Sequence, residues 1–376
     1  MNIDSEAVPT YRPRHPVAYL THPGAEGVGV VGRVTGPLAW LPGARLTRRL
    51  SLPPVTTDTL RSEDNPERPA GWIIAVPVTP AELKAGTPRA RQAIGRAIGQ
   101  AQKLGAQTVG LGGLTALATA RGLALRGVDE IGLTTGDAFA AALVFQSVVR
   151  LLAHCPATTR VAIVGAACGI GRCVTALLAR RTEQPLLLIS RHAGALREMQ
   201  QHLGHGRTDV STDLGGVPSC GLVVLLSRAA ADLRAGHLGR NAVVLDETRP
   251  RVTRPTLLLD RPDVQVVDGG LCCARGIRRH AGAHAGHERL PMALAEALLL
   301  GLAGHTGHYT LGEPTVEQAE AMLHLSARFT PLGFTPEAPH SFGERISLNG
   351  RFERHQEQRA EAPRQRWPVT GVAGVA

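Results

Sequence analysis

Residues 160–191, RVAIVGAACGIGRCVTALLARRTEQPLLLISR, decide how the chain is read. An apolar run of strand length, Val161 to Val164, enters the glycine-punctuated turn Gly165-Ala166-Ala167-Cys168-Gly169-Ile170-Gly171. A stretch of helical composition then leads to a second apolar run, Leu186 to Ile189. Strand, turn, helix and strand make a βαβ unit, and the spacing G-x-x-x-G-x-G gives each glycine a task. Gly165 turns the chain sharply off the strand, Gly169 leaves bare backbone for a pyrophosphate, and Gly171 lets helix and strand approach. The helix N-terminus offers unpaired N–H groups to the phosphates, so Gly165, Ala166, Cys168, Gly169, Ile170 and Gly171 are the predicted dinucleotide contacts.

The residues just past the second strand select the cofactor. An acid there would hold the ribose 2′-hydroxyl of NAD, but the chain reads Ser190-Arg191-His192, a hydroxyl and a cation suited to a 2′-phosphate. The expected cofactor is NADPH. Downstream the alternation continues, with strands expected at 221–226, 242–246 and 264–267 and a short helix over 229–238. Strands alternating with helices give a doubly wound parallel sheet of the α/β class, a Rossmann-type arrangement whose ligand sits at the carboxyl ends of the strands. Ser227, Gly269 and Gly270 fall at that edge and join the predicted cofactor contacts.

The chain has 376 residues, 43% of them apolar, which is enough for two cores. The expected organisation is a fraying N-terminus (1–14), an N-terminal α/β substrate domain (15–140), the nucleotide domain (141–275), C-terminal helices on the cleft (288–335) and a disordered polar tail (343–376). No apolar run reaches the roughly 18–20 residues that span a bilayer, and MNIDSEAVPTYRPRHP lacks the layout of a signal peptide, so a cytoplasmic protein is expected. The net charge of +10 comes from scattered arginines, Lys84 and Lys103 being the only lysines, and aromatics make up 3%. That pattern argues against nucleic acid and fits a basic face meeting an acidic carrier protein or an acyl phosphopantetheine. The six cysteines show no C-x-x-C spacing and are expected as free thiols.

In chain order, short strands are expected at 17–20 and 27–34, a surface loop over 51–69 and a strand at 71–78. Thr79-Pro80-Ala81-Glu82 has the layout of a helix start, and 89–104 places Ile94, Ala97, Ile98 and Ala101 on one helical stripe. The run 109–115, VGLGGLT, reads as a ligand-facing loop or a tight packing turn. Thr134-Thr135-Gly136-Asp137 repeats the theme before an apolar helix at 138–153, making Thr134, Thr135 and Gly136 predicted substrate contacts. Helices are expected at 290–302 and 315–328. The first carries a lone acid, Glu296, either a buried paired carboxylate or a functional acid. His280, His284 and His287 have a spacing that suits a metal, although the glycines around them favour a loop. His305, His308 and Tyr309 either close a helix end or supply a proton.

Six stretches taken in order resemble one family: AQKLGAQTVGLGGLTAL (101–117), LTTGDA (133–138), VAIVGAACGIG (161–171), LLLISR (186–191), VVDGGL (266–271) and LAEALLLGLAGHTGHYTLGE (294–313). The family is the long-chain acyl-[acyl-carrier-protein] reductases of cyanobacteria, which make fatty aldehydes, and the resemblance runs from about Gly71 to Phe334. It implies NADPH-dependent reduction of an acyl thioester, or a related carrier-bound carbonyl compound, through a thioester on an enzyme cysteine. At that cysteine's position this chain has Ala293, at the substrate end of the site, and alanine forms no thioester. The family's TTGNTHTA reads Thr134-Thr135-Gly136-Asp137-Ala138-Phe139-Ala140-Ala141 here, so three polar side chains are lost and an amide has become Asp137. Three readings are open. In the first, Cys272 or Cys273, just past Gly270, replaces the thiol. In the second, hydride passes directly to a ketone, aldehyde, imine or thioester while Asp137 or a nearby histidine handles the proton. In the third, the chain binds nucleotide or a partner without catalysis.

Overall fold

A computed structural model describes residues 13–22, 52–63, 65–204, 206–227, 230, 232–270, 272–279 and 288–348. The N-terminal part forms β1 (Val17–Thr21), β2 (Val55–Ser62), β3 (Pro69–Ala75), α1 (Pro80–Lys84), α2 (Pro88–Lys103), β4 (Thr108–Leu111), α3 (Gly113–Ala118) and β5 (Gly132–Thr134). After α4 (Asp137–Leu152) come β6 (Val161–Val164), α5 (Gly169–Arg181), β7 (Leu186–Ile189), α6 (Ala193–Leu203), β8 (Thr208–Ser211), β9 (Leu222–Leu225), β10 (Val243–Asp246), α7 (Thr256–Asp260) and β11 (Gln265–Asp268). The chain then makes β12 (Cys272–Ala274), β13 (Ile277–Arg279), β14 (Glu288–Leu290), α8 (Met292–Ala303), α9 (Val316–Arg328), β15 (Gly333–Pro336), β16 (His340–Ser341) and β17 (Glu344–Arg345).

The glycine-turn unit lies at the centre of a six-stranded sheet in the order β11-β10-β9-β6-β7-β8. Every pairing in it is parallel. From β6 the chain winds outward to β8, returns to the other side of β6 as β9, and winds outward again. This is the doubly wound order, with its reversal between β6 and β9. Such strands are covered on both faces and so are apolar throughout rather than alternating. Val161, Ile163, Leu188 and Val224 pack against α4 and α5, while Ala162, Val164, Leu187 and Val223 face the opposite layer.

The second sheet has the order β13-β2-β3-β1-β4-β5, with β3, β1, β4 and β5 parallel and β2 antiparallel to β3. Along β1, Ala18 and Leu20 meet the Ile94–Ala97–Ile98 stripe of α2, while Val17 and Tyr19 meet α8. The α8 sequence, MALAEALLLGLA, is apolar all round because the sheet covers one side and α4 and α9 lie on the other. Backbone contact sets how close α8 comes to β4: a Cβ on Gly110 would sit 2.3 Å from the Ala293 carbonyl oxygen. Helix α4 belongs to both halves. Its Ala138, Phe139, Ala142 and Leu143 enter the core under this sheet, and Ala141, Val144, Phe145, Val148 and Leu151 enter the core of the nucleotide sheet.

The helix starts obey their sequence cues. Thr79 accepts from the Glu82 N–H and Glu82 accepts in return from the Thr79 N–H, a complete capping box, and Thr315 does the same with Gln318. Several expectations are corrected. The loop expected over 51–69 contains β2, whose VTTDTLRS is rich in β-branched residues and pairs with β3, while prolines and charges at its ends disguised it. In 229–238 the described residues are 3₁₀ rather than α-helical, at Ala230 and Asp232 and again over Ala235–His237. Arg14 is tied down by its N–H to the Gly301 carbonyl at 3.0 Å. Residues 343–348 are likewise ordered: the Phe342 and Gly343 N–H groups donate to the Asp268 carboxylate at 3.1 and 2.8 Å, and Leu348 is buried in the nucleotide core. The expected strand at 27–34, the histidine run 280–287 and the tail from 349 lie outside the described residues. Among the described residues, no helix is long and apolar enough to cross a membrane.

The contact between Gly110 and α8 gives a direct test. Gly110→Ala forces a methyl into the Ala293 carbonyl, and chemical denaturation of the variant should show a loss of about 1–3 kcal/mol. An unchanged midpoint would contradict the packing of α8 on β4.

Candidate functional site

At the end of β6, Gly165 takes φ +97°, a left-handed conformation that favours glycine, and a side chain there would meet Ser227 Cβ at 2.6 Å. The Gly165 and Ala166 N–H groups both donate to the Ile189 carbonyl, at 2.8 and 3.1 Å. Cys168 caps α5, its Sγ accepting from the Gly171 N–H at 3.3 Å, in the role usually played by a hydroxyl or carboxylate. Burial pushes the Cys168 thiol up, with Glu313 and Asp137 adding to the push and the Gly171 N–H and Arg121 opposing it. A Cβ on Gly171 would lie 2.3 Å from the Gly165 carbonyl oxygen, so this glycine lets the helix close onto the strand. Among the described residues, the N–H groups of Gly169 and Ile170 have no protein acceptor. At the end of β7, Ser190 is buried and its Oγ accepts from the His192 N–H at 3.3 Å, while Arg191 is exposed beside it.

The turn between β5 and α4 approaches this loop from the other sheet. Gly136 takes φ +83°, and its α-carbon faces the backbone of Ala293, 2.4 Å from where a Cβ would stand. Asp137 opens α4 and pairs with Arg121, Nη2 to Oδ2, at 3.1 Å. Arg121 and Ala120 hold φ of +56° and +51°, conformations that cost about 1–3 kcal/mol each and need support from their surroundings. The Arg121 N–H donates to the Ala116 carbonyl at 2.7 Å, and the Arg121 carbonyl accepts from the Gly312 N–H at 2.8 Å. Burial raises the Asp137 carboxyl above the ordinary aspartate range, with Arg121 and Thr135 pulling it back.

Glu296 stands behind this turn, fully buried on α8. Its Oε1 accepts from the hydroxyls of Thr134 and, at 2.8 Å, Thr310. Its Oε2 accepts from the Phe139 N–H at 2.6 Å, within the first turn of α4. The carboxylate thus joins β5, the start of α4, α8 and the segment 309–313. Burial drives its pKa up to about 7, with the bonds from Thr134, Phe139 and Thr310 opposing and Asp137 adding. Of the two readings of Glu296, the buried paired carboxylate describes its surroundings.

Other predicted residues fall elsewhere. Cys272 is fully buried in β12, between β14 and β15, and burial holds its thiol far above the ordinary range, the opposite of what a nucleophile needs. Cys273, its neighbour in β12, is half-buried in the same small sheet. Gly269 packs on Glu247, whose carboxyl carbon lies 2.2 Å from where a Cβ would be, and Gly270 gives its N–H to the same carboxylate. Glu247 is half-buried with Oε1 enclosed, and burial pushes it up to about 7 against the pull of Arg249. His308 accepts from the Leu133 N–H at 3.2 Å and Tyr309 donates to the Gln318 carbonyl at 2.8 Å, so both close structure around β5 and α9. Among the described residues no cluster of His, Cys, Asp and Glu could hold a metal. Sequence reasoning missed Arg121, Glu247 and Glu313. Glu247 carried a signal, an acid directly after a strand at the ligand edge, while Arg121 sits in an unremarkable Thr-Ala-Arg-Gly run.

No family model matches the chain. Aminotransferase PigE from Serratia sp. is 24% identical over 255 residues, 64% of this chain, and the chain spans 29% of that relative's length. Among solved structures, 5-ketofructose reductase of Gluconobacter sp. shares 12% identity over 84% of this chain and 99% of its own, with a TM-score of 0.37. Acetophenone reductase from Geotrichum candidum, solved with NAD, shares 14% over 44% of this chain and 43% of its own, with a TM-score of 0.28. At such TM-scores neither bears on what this chain does. The resemblance to acyl-carrier-protein reductases is corrected by these findings: no family model supports it, and PigE, the relative named above, is an aminotransferase. Physically, the motifs shared with that family are those of the scaffold, and Ala293 presses its backbone against Gly110 and Gly136 where the family has its thiol.

Glu296 makes stability depend on pH. Its folded value of about 7, against an ordinary 4.5, means that the folded chain holds this proton more tightly than the unfolded chain. The resulting stabilisation is full below 4.5 and is lost as pH rises through about 7. Glu296→Gln keeps an acceptor for the Phe139 N–H and removes the titration. The stability difference between wild type and variant should therefore drift by on the order of 3 kcal/mol between about pH 4.5 and 8. Denaturation curves that stay parallel over that range would refute it.

Proposed function

We propose that the chain is an NADPH-dependent oxidoreductase that delivers hydride directly to the carbonyl or imine carbon of a small molecule, without a covalent intermediate. The observation that carries this reading is that the strand-order reversal at Gly165 adjoins the Arg121–Asp137 pair brought in by the other sheet. A ligand in a doubly wound sheet lies at such a reversal. The free N–H groups of Gly169 and Ile170 and the left-handed turn at Gly165 suit a pyrophosphate, and Arg191, where NAD-binding chains carry an acid, suits a 2′-phosphate.

Bound there, NADPH supplies the hydride. The chain supplies the proton. Asp137, raised by burial, retains a proton at its carboxyl more readily than an exposed aspartate and can donate it to the oxygen or nitrogen of the group being reduced. Arg121 orients that carboxyl and limits how far its pKa rises. The burial of Cys272 supports direct transfer over a thioester route.

The aminotransferase name of the relative suggests a different cofactor, pyridoxal phosphate, which is held as a Schiff base on a lysine. The residues here do not fit it. Lys84 and Lys103 are the only lysines, and both are exposed on α1 and α2.

NADPH should bind more tightly than NADH, and Arg191→Ala should reduce that preference by about tenfold or more. Equal affinity of the wild type for the two cofactors would remove the 2′-phosphate assignment. In a panel of ketones, aldehydes and imines followed by NADPH consumption, Asp137→Asn should lower kcat by about 10²–10⁴ with NADPH affinity retained. Cys272→Ala should leave the rate intact. A fully active Asp137→Asn enzyme would exclude the aspartate as proton donor.

A further inference from the structure

One acidic side chain lies in the place the dinucleotide is proposed to take. Glu313 stands between Gly312 and Pro314 in the segment leading into α9. Its Cγ, Cβ and Cδ stand 3.1, 3.2 and 3.3 Å from the point where a side chain on Gly169 would begin. Gly169 is the first residue of α5 and the glycine whose bare backbone the phosphate loop offers to a pyrophosphate. Glu313 also acts on the neighbouring Cys168, adding to the rise of its thiol. The Gly169 and Ile170 N–H groups donate no hydrogen bond to the Glu313 carboxylate, whose charge nevertheless stands beside the helix N-terminus that would attract a phosphate. A carboxylate and a pyrophosphate cannot share that position, because both are anionic and both need the space above Gly169.

We propose that Glu313 is an internal anion that occupies the pyrophosphate position of the free protein and is displaced when the cofactor binds. This rests on the reading of the glycine loop as a dinucleotide site. The residue is exposed and lies in a turn, so its side chain can leave without disturbing a core. Its backbone is firmly placed. The Gly312 N–H is bonded to the Arg121 carbonyl, the Tyr309 N–H to the Leu133 carbonyl at 3.0 Å, and the Thr310 hydroxyl to Glu296. Glu313 therefore opposes cofactor binding from a segment that also contacts the β5–α4 turn, and it sets the cofactor affinity of the free protein.

The experiment compares full-length wild type and Glu313→Gln by calorimetric titration with NADPH and, separately, with adenosine 2′-monophosphate, which lacks the pyrophosphate. Removing the competing charge should tighten NADPH binding by about three- to thirtyfold and leave adenosine 2′-monophosphate binding unchanged. NADPH affinity that is equal or weaker in Glu313→Gln overturns the displacement while leaving the proposed function standing. A tightening shared equally by adenosine 2′-monophosphate overturns it as well, since the effect would then be a general one of net charge. Absence of NADPH binding by both proteins overturns this inference together with the proposed function.

Discussion

One buried carboxylate ties β5, α4, α8 and the segment 309–313 together. Glu296 sits on a helix that is apolar and buried nearly all round, where an unpaired charge would cost several kcal/mol, and it persists there because Thr134, Thr310 and the Phe139 N–H converge on it. Each bond comes from a different stretch of chain. The donor in α4 is one of the N–H groups that a helix start leaves unsatisfied, so Glu296 acts as a remote cap for the helix that begins with Asp137. Gly136 precedes that helix with no capping side chain, which is why the cap has to come from elsewhere. A value pushed up to about 7 shows that burial outweighs the three bonds, so the position is held by geometry rather than by any preference of the charge for its surroundings.

That anchor sets the relation between the two sheets. Helix α4 starts at the Glu296 hub and runs into the nucleotide core, giving residues to each side. Its first residue carries the acid of the proposed proton transfer, and its far end packs near β6, whose own turn carries the glycines. The distance between the two halves of the site is thus set by one buried helix and not by a flexible linker. Arg121 is added by a different device, two consecutive left-handed residues, and such strain is kept where surrounding bonds enforce it.

The parts legible in the sequence were those fixed by short-range rules. The β6–α5–β7 unit, the threonine-led helix start at Thr79 and the apolar helices could be read because strand runs, caps and 3.6-residue stripes depend on neighbours in the chain. Strand β2 could not, since a polar VTTDTLRS becomes a strand only when β3 and β13 pair with it. The partnership of Glu296 with Thr134 joins residues 162 positions apart, and no local pattern announces it. The family resemblance failed for a related reason: its motifs lie in turns and packing helices, which report a scaffold, whereas the reaction depended on a single thiol that this chain does not have.

The glycines make the same distinction at atomic scale. In the sequence a glycine cluster after a strand reads equally as a ligand-facing loop or a packing turn. A side chain on Gly110 or Gly136 would meet Ala293, one on Gly171 would meet the Gly165 carbonyl, and one on Gly269 would meet Glu247. These four are glycines because the protein's own backbone or a neighbouring side chain fills the space. Gly169 differs in what fills it: neither backbone, as at Gly110, Gly136 and Gly171, nor a half-buried carboxylate, as at Gly269, but an exposed, charged side chain, which rotates away at small cost. A glycine pattern therefore marks close approach without saying what approaches. Only the partner's chemistry and exposure, peptide or a half-buried side chain in one case and an exposed, movable anion in the other, separate a packing turn from a place where a phosphate can enter.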